Sequence, residues 1–421
     1  MWFVFWMSQT WLGSWIADVI LTPVIDGFCE IVAGWMEGTS DILQTIIVDG
    51  IVGGVSAVVG FLPLVMVMYF LIALLEDCGY MARASVVLDP IFKRVGLSGK
   101  SVIPFIMGTG CAIPGIMACR TIRNERERRA TAMLAPFMPC GAKLPVIALF
   151  AGAFFGDNPW IGTSMYFVGI AIIFVGALLV NKITGHKARK SFFIIELPEY
   201  KVPSFSRALK SMCQRGWAYV VKAGTIILVC NALVTIMQGY SWDFSIAESA
   251  DESILALIAN PIAFLLVPLG FGVWQMAAAS ITGFIAKENV VGTIASVYAI
   301  SNFIDSDELA IIGDNAANVA GILNLSSPAA LACLMFNLFT PPCFAAIGAM
   351  NAELKSKKWL FGGISLQLCT GYTVAFLVYQ IGTILTTGTV GTGFVGGLVA
   401  VLTMLGVLIV LIRKSPNNLK S

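Results

Sequence analysis

Apolar runs of about 20 residues recur along the whole 421-residue chain. Each is long enough to cross roughly 30 Å of hydrocarbon as a helix. Composition agrees: 58% of residues are hydrophobic and 12% charged, against roughly 25% charged in soluble domains, and mean hydropathy is +0.86. No stretch is long and polar enough to form a separate soluble domain. An all-α polytopic membrane protein is expected.

Eight crossings are predicted, at Met1–Ile20, Ile51–Leu75, Ala130–Phe155, Trp160–Val180, Trp217–Gln238, Ala329–Met350, Trp359–Gly382 and Phe394–Ile412. The N-terminus has no basic leader and no small-residue cleavage site, so it reads as a span and not a signal peptide. Because that span opens on apolar residues at once, further sequence is expected before it, on this chain or supplied by another. Orientation follows from the loops, since Lys and Arg collect on the cytoplasmic side. Between Lys182 and Arg215 stand eight Lys or Arg residues against two Glu, which marks the cytoplasm. The stretches SWDFSIAESADE and NFIDSDELAIIGD carry acids and no Lys or Arg, and read as external.

Two apolar stretches cannot be simple crossings. Ser101–Cys119 is flanked by basic residues on both sides and Ile254–Ile300 by acids on both sides, so each must enter and return. Their glycines and prolines (IPFIMGTGCAIPG; IANPIAFLLVPLGFG) fit broken or re-entrant helices, which need protein or water to cover the freed backbone. With these two re-entrant, both termini are cytoplasmic.

Internal similarity points the same way. PGIMACRT (Pro114–Thr121) resembles TGFIAKEN (Thr282–Asn289), and LAPFMPCGA (Leu134–Ala142) resembles LFTPPCFAA (Leu338–Ala346), with a proline directly before each cysteine. One copy enters from the basic side and the other from the acidic side. An inverted repeat follows, the architecture of many secondary transporters, with sites near the midplane where broken helices meet.

Candidate chemistry centres on thiols. The ten cysteines show no CxxC spacing and lie mostly in apolar segments, which argues against both a zinc cluster and a secreted disulfide framework. The single histidine, His186, lies in the basic stretch NKITGHKARK, away from any metal or triad constellation. Gly108, Gly110 and Pro114 should interrupt the helix around Cys111, and Cys140 and Cys343 follow helix-breaking prolines. Three thiols at helix breaks suit a soft or borderline cation. Cys29, Cys213, Cys230, Cys333 and Cys369 read as small buried hydrophobes. Glu76 and Asp77, at the end of the second span, could draw a cation to a path or act as an interfacial cap. Lys287 and Glu288 lie inside a membrane segment and are expected to pair with each other or with Arg120. RTIRNERERR reads as a solvated helix start with local Arg–Glu pairs, or as a dock for a cytoplasmic domain. VGLSGKS fails as a phosphate loop because Arg94 stands where GxxxxGK[ST] needs glycine. Nucleic acid is not implied by a net charge of +2.

LLEDCGYMARASVVLDPIFKRVGLSGKSVIPFIMGTGCAIPGIMACRTIRNERERRATAMLAPFMPCGAKLPV resembles the first gate region of the FeoB ferrous iron transporters. ITGFIAKENVVGT and FNLFTPPCFAAIGAMNAELKSKKW resemble the second, and the similarity runs from Val48 onward. The resemblance implies Fe(II) import across a bacterial inner membrane, with Cys111, Cys140 and Cys343 as metal ligands, Glu76 and Asp77 as the family's acidic pair and Glu288 as the acid of the second gate. Cys119 departs from the family pattern and receives no role. Family members usually begin with a cytoplasmic G domain and helical linker, which this sequence lacks, so GTP would act only through a separate or missing G domain.

The expected organisation is residues 1–50, a first span and external segment; 51–182, the first gate repeat; 183–216, a cytoplasmic basic loop; 217–358, the second gate repeat; and 359–421, a helical pair with a basic tail. Expected partners are the lipid bilayer and a cytoplasmic G protein or G domain, with homo-oligomerisation left open. No enzymatic activity is expected. The rival readings are a Mn(II) or Zn(II) transporter of the same fold, a nucleoside-type gate carrier, and a non-transporting membrane anchor for a G protein.

Overall fold

The computed structural model describes residues 7, 11–36, 45–156, 158–183, 200–243, 245, 249–298, 300 and 316–414. The expected acidic loop NFIDSDELAIIGD, most of the basic loop around His186 and part of the first expected span lie outside them. The described residues form helices and no strand, as expected for an all-α polytopic membrane protein.

In chain order, α1 spans Thr22–Met36 and α2 Gly53–Asp77, a long apolar helix that tolerates Pro63 in its interior. α3 (Tyr80–Arg94) ends on Lys93 and Arg94, cations that suit the negative end of a helix. α4 (Val102–Gly110) and α5 (Ala112–Ala118) form a hairpin whose arms are about 14 and 10 Å long, too short to cross a bilayer. α6 (Glu125–Leu134) is capped by Asn124, whose side chain accepts the Arg126 N–H at 3.1 Å. Glu125 also pairs with Arg129 at 2.6 Å, the local pairing predicted for this charged start. α7 (Leu144–Phe155) and α8 (Pro159–Ile183) follow. α9 (Phe205–Tyr219) carries the basic residues before the next apolar helix, α10 (Thr225–Gly239). α11 (Ile254–Leu266) runs through a tight turn, Val267–Leu269, and bends by 102° into α12 (Trp274–Ile285). Gly270 turns this corner at φ 87°, a conformation glycine adopts without strain. The remaining helices are α13 (Asn289–Val297), α14 (Ala316–Leu323), α15 (Ser327–Phe339), α16 (Phe344–Leu354), α17 (Lys357–Thr387) and α18 (Phe394–Lys414).

Five helical segments among the described residues are long and apolar enough to cross a membrane: Gly50–Asp77, Glu125–Phe155, Trp160–Lys182, Ser327–Leu354 and Lys357–Thr387. The bent α11–α12 pair is a sixth, or a re-entrant element as the flanking acids predict. Of the other predicted crossings, Trp217–Gln238 is helical from α9 through Val220–Gly224 into α10, Phe394–Ile412 lies within α18, and the first falls partly on undescribed residues. Hydropathy had joined α10 to the preceding Trp217–Gly224, where the helix widens into a π turn at Val220–Gly224.

The chain divides into two compact units, one of Met1–Arg83 with Leu197–Ala259, the other of Ala84–Glu196 with Asn260–Ser421. These boundaries reflect packing, and the repeat boundaries reflect internal similarity, so neither decides the other. In the first unit α9 lies along α2, with the Phe70 and Phe205 rings edge to face at 5.2 Å and Gly216 against Met66. The second unit has the larger apolar core, in which Phe137, Phe150, Phe271 and Phe339 are fully buried. There the uninterrupted α17 backs the broken helices. Gly363 abuts Met133, Gln367 donates to the Met133 carbonyl at 2.9 Å, and Gly371 lies against the Phe339–Thr340 backbone. These three residues are four apart and so share one helix face.

Candidate functional site

The three cysteines singled out in the sequence all stand where a helix stops. Cys111 separates α4 from α5 in an extended conformation (φ −150°, ψ 137°). Its N–H donates to the Met107 carbonyl at 3.2 Å and its carbonyl accepts the Gly115 N–H at 3.3 Å. It therefore ends one helix and starts the next, between a negative and a positive helix end. Cys140 (φ −100°, ψ 168°) lies in the gap between α6 and α7, behind Pro139. Cys343 (φ −55°, ψ 155°) caps α16, and its carbonyl accepts the Ala346 and Ile347 N–H groups at 2.9 and 3.0 Å. The membrane-length segments Glu125–Phe155 and Ser327–Leu354 are thus each interrupted near the middle by a Pro-Cys step.

The hairpins repeat this logic in a different register from the one quoted. Ala286, between α12 and α13, has φ −147° and ψ 129°, nearly the conformation of Cys111. Gly108 and Gly115 flank Cys111 and touch across the first hairpin, and Gly283 and Val290 flank Ala286 at the same spacings and touch across the second. The structural counterpart of GTGCAIPG is therefore GFIAKENV. The match of PGIMACRT to TGFIAKEN sets the two breaks out of step. Local similarity followed residue types, whereas the breaks are aligned by backbone conformation and close packing.

Within the second unit, Cys111, Cys140, Cys343 and Glu288 come near enough to influence one another electrostatically. Cys140 is buried, and Cys111 and Cys343 are half-buried. Among the described residues, no three His, Cys, Asp or Glu side chains meet closely enough to hold one metal ion together. Glu76 and Asp77 belong to the first unit and are already engaged. Glu76 pairs with Arg215 at 3.2 Å. Asp77 accepts the Ser204 N–H at 2.8 Å, the Ser204 hydroxyl at 3.1 Å and Arg207 at 3.2 Å. A carboxylate there anchors the N-terminus of α9.

The pairing expected of Lys287 and Glu288 does not form: neither is in an ion pair among the described residues, and Arg120 pairs instead with the buried Glu353 near the end of α16. Two lysines share the site: sequence reasoning missed Lys143 and gave Lys287 only an ion-pair role. Lys143 is 3% exposed, and its Nζ donates to the carbonyls of Leu338 at 2.6 Å and Pro136 at 3.1 Å. Lys287 is equally buried, and its Nζ donates to the Thr340 hydroxyl at 3.2 Å. The signal for Lys143 was a lone cation in the apolar run that begins at Ala130. Its acceptor on α15 is far away along the chain.

The chain matches the family described as "Nucleoside recognition" (Gate) over residues 58–154 and 220–357, a range that contains every break described above. Residues 163–215 match "Ferrous iron transport protein B C terminus". A Fe(2+) transporter FeoB of Staphylococcus aureus is 37% identical over 386 residues, covering 91% of this chain and 56% of its own. The Fe(2+) transporter FeoB of Methanocaldococcus jannaschii is 35% identical over 352 residues, covering 82% and 50%. A fusion of Fe(2+) transport protein A with FeoB, from Porphyromonas gingivalis, is 34% identical over 407 residues, covering 88% and 46%. The chain spans about half the length of these relatives. No solved structure matches it.

Proposed function

The chain belongs to the FeoB family of ferrous iron transport proteins, and from that premise we propose that it carries Fe(II) inward across a bacterial inner membrane. The observation that carries this reading is the coincidence of Cys111, Cys140 and Cys343 with three separate helix breaks in one compact unit. Sulfur at such breaks suits a borderline dication better than Mg(II) or Ca(II). Fe(II) would exchange water for one or two donors at a time along Cys111, Cys140, Cys343 and Glu288. The absence of a three-donor cluster among the described residues suits such a path, because an ion held in a closed cage does not leave. Glu76 and Asp77 would act on an ion only by releasing Arg215 or Arg207. The basic segments facing the cytoplasm would set both termini on that side. Nucleotide dependence, in this reading, enters through a G protein or G domain outside these 421 residues.

The Gate description favours a second reading, a nucleoside-type carrier. One experiment separates the two. The chain is reconstituted in proteoliposomes under anaerobic conditions with a candidate G protein present. Uptake of radiolabelled Fe(II) is then measured against competing Mn(II), Zn(II) and nucleosides. Fe(II) uptake that falls by tenfold or more when Cys111, Cys140 and Cys343 are together replaced by serine supports the metal path. Nucleoside flux without Fe(II) flux would overturn it.

A further inference from the structure

The prolines that precede the two break cysteines also orphan two carbonyls, and one lysine takes both. In α15 the Leu338 carbonyl would accept the N–H of residue 342, but Pro342 has none. In the turn Ala135–Phe137, the Ala135 carbonyl accepts the Met138 N–H at 3.2 Å. The next carbonyl, that of Pro136, would accept from residue 139, and Pro139 has no N–H either. Each repeat thus leaves an unpaired carbonyl at the C-terminal end of its half-helix, where the helix dipole is negative. Lys143 Nζ donates to both, at 2.6 Å to Leu338 and 3.1 Å to Pro136. The lysine is placed for this by the turn that follows Cys140, where its own N–H donates to the Cys140 carbonyl at 3.0 Å.

Half-helix C-termini and unwound carbonyls are what transporters with inverted repeats use to bind a coupling cation. We infer that Pro136 and Leu338 form the core of a small monovalent-cation site, one carbonyl from each repeat, and that the ammonium of Lys143 fills it permanently as a tethered cation. The Pro-Cys step therefore has two products: a cysteine at the break, and a carbonyl that binds the charge joining the two breaks. A chain that carries this cation on its own side chain needs no Na⁺ or K⁺ from solution to hold the breaks together. Removing the side chain exposes a site that a free cation of ammonium size can enter.

The test uses thermal unfolding of the full 421-residue chain purified in detergent without iron, so that its outcome is independent of whether Fe(II) is the transported ion. Lys143→Ala should lower the melting temperature by about 5 °C or more. Methylammonium or ammonium chloride should restore at least half of the loss, and choline chloride at equal ionic strength should not. The parent protein should respond alike to all three salts. Melting of Lys143→Ala within about 1 °C of the parent, or a loss that methylammonium and choline correct equally or not at all, would overturn the inference. If Lys143→Ala yields no folded protein in any of these salts, Lys143→Gln and Lys143→Arg decide. Parent-like melting of Lys143→Gln means that a neutral donor suffices and overturns the inference. A loss in Lys143→Gln that is absent from Lys143→Arg supports it.

Discussion

Replacing Gly115 by alanine should show how much of the Cys111 break depends on one contact. A Cβ at Gly115 would lie 2.8 Å from the Pro104 carbonyl oxygen and 2.9 Å from the Cα and N of Gly108, whereas ordinary contacts are 3.4–4 Å. All three obstacles are backbone, so no rotamer change relieves them, and α4 and α5 must separate by about 0.5–1 Å. Overpacking of this kind costs about 1–3 kcal/mol. Alanine regains up to about 1 kcal/mol of helix propensity. With the full propensity gain, a net loss of about 0–2 kcal/mol remains. The hairpin tip moves with its arms and carries Cys111, and a misplacement near 1 Å can slow a positioned reaction by about 100-fold. Fe(II) uptake in proteoliposomes should therefore fall by about tenfold or more while melting drops only a few degrees. The matched control is Gly348→Ala on α16, where nothing lies within 4 Å of the added methyl. If Gly115→Ala melts and transports like Gly348→Ala, the close approach of α4 and α5 does not set the position of Cys111.

Two further outcomes follow from the ion pairs. Asp77→Ala removes the acceptor of the Ser204 N–H and hydroxyl and the partner of Arg207, so amide exchange in the first turn of α9 should accelerate, while Glu76→Gln should leave that turn unchanged; equal exchange in both variants would show that Asp77 does not anchor the helix. Arg120→Gln leaves the buried Glu353 without its ion-pair partner and should destabilise more than the double variant Arg120→Gln/Glu353→Gln. Because the Arg120 side chain is 59% exposed, the coupling should be about 1–2 kcal/mol, below that of a fully buried pair. A double-mutant cycle on melting reads it directly, and additive losses would refute it.

What could be read from the sequence was whatever is local. Hydropathy located the segments Gly50–Asp77, Trp160–Lys182 and Lys357–Thr387 because crossing a bilayer needs only a long apolar run. Glycine and proline marked the breaks at Cys111, Cys140 and Cys343, since both act on their own backbone. The expected span Trp217–Gln238 is helical throughout, but hydropathy does not register the π turn at Val220–Gly224 inside it. The partner of Arg120 was misassigned for a different reason. Glu288 was the acid that the sequence placed inside a membrane segment, while Glu353 sits beside the basic residues Lys355, Lys357 and Lys358.

Lys143 shows why the site itself was only half legible. A cation in an apolar run has a cost that must be met somewhere, and sequence can state the cost without locating the compensation. Here the compensation is created by absences, the N–H groups that Pro139 and Pro342 do not have, in segments about two hundred residues apart. The same geometry bears on the ion path. Lys143 and Lys287 lie within electrostatic reach of Cys140 and Cys343, so on the proposed Fe(II) path a dication at those thiols would meet two lysine side chains together with its ligands. The attraction of sulfur and carboxylate ligands for the ion would thereby be opposed. A path that must release its ion benefits from that opposition, because affinity gained from three soft donors alone would hold Fe(II) in place. On that proposed path the cysteines and the lysines would be parts of one arrangement, the former favouring entry of the ion and the latter limiting its residence.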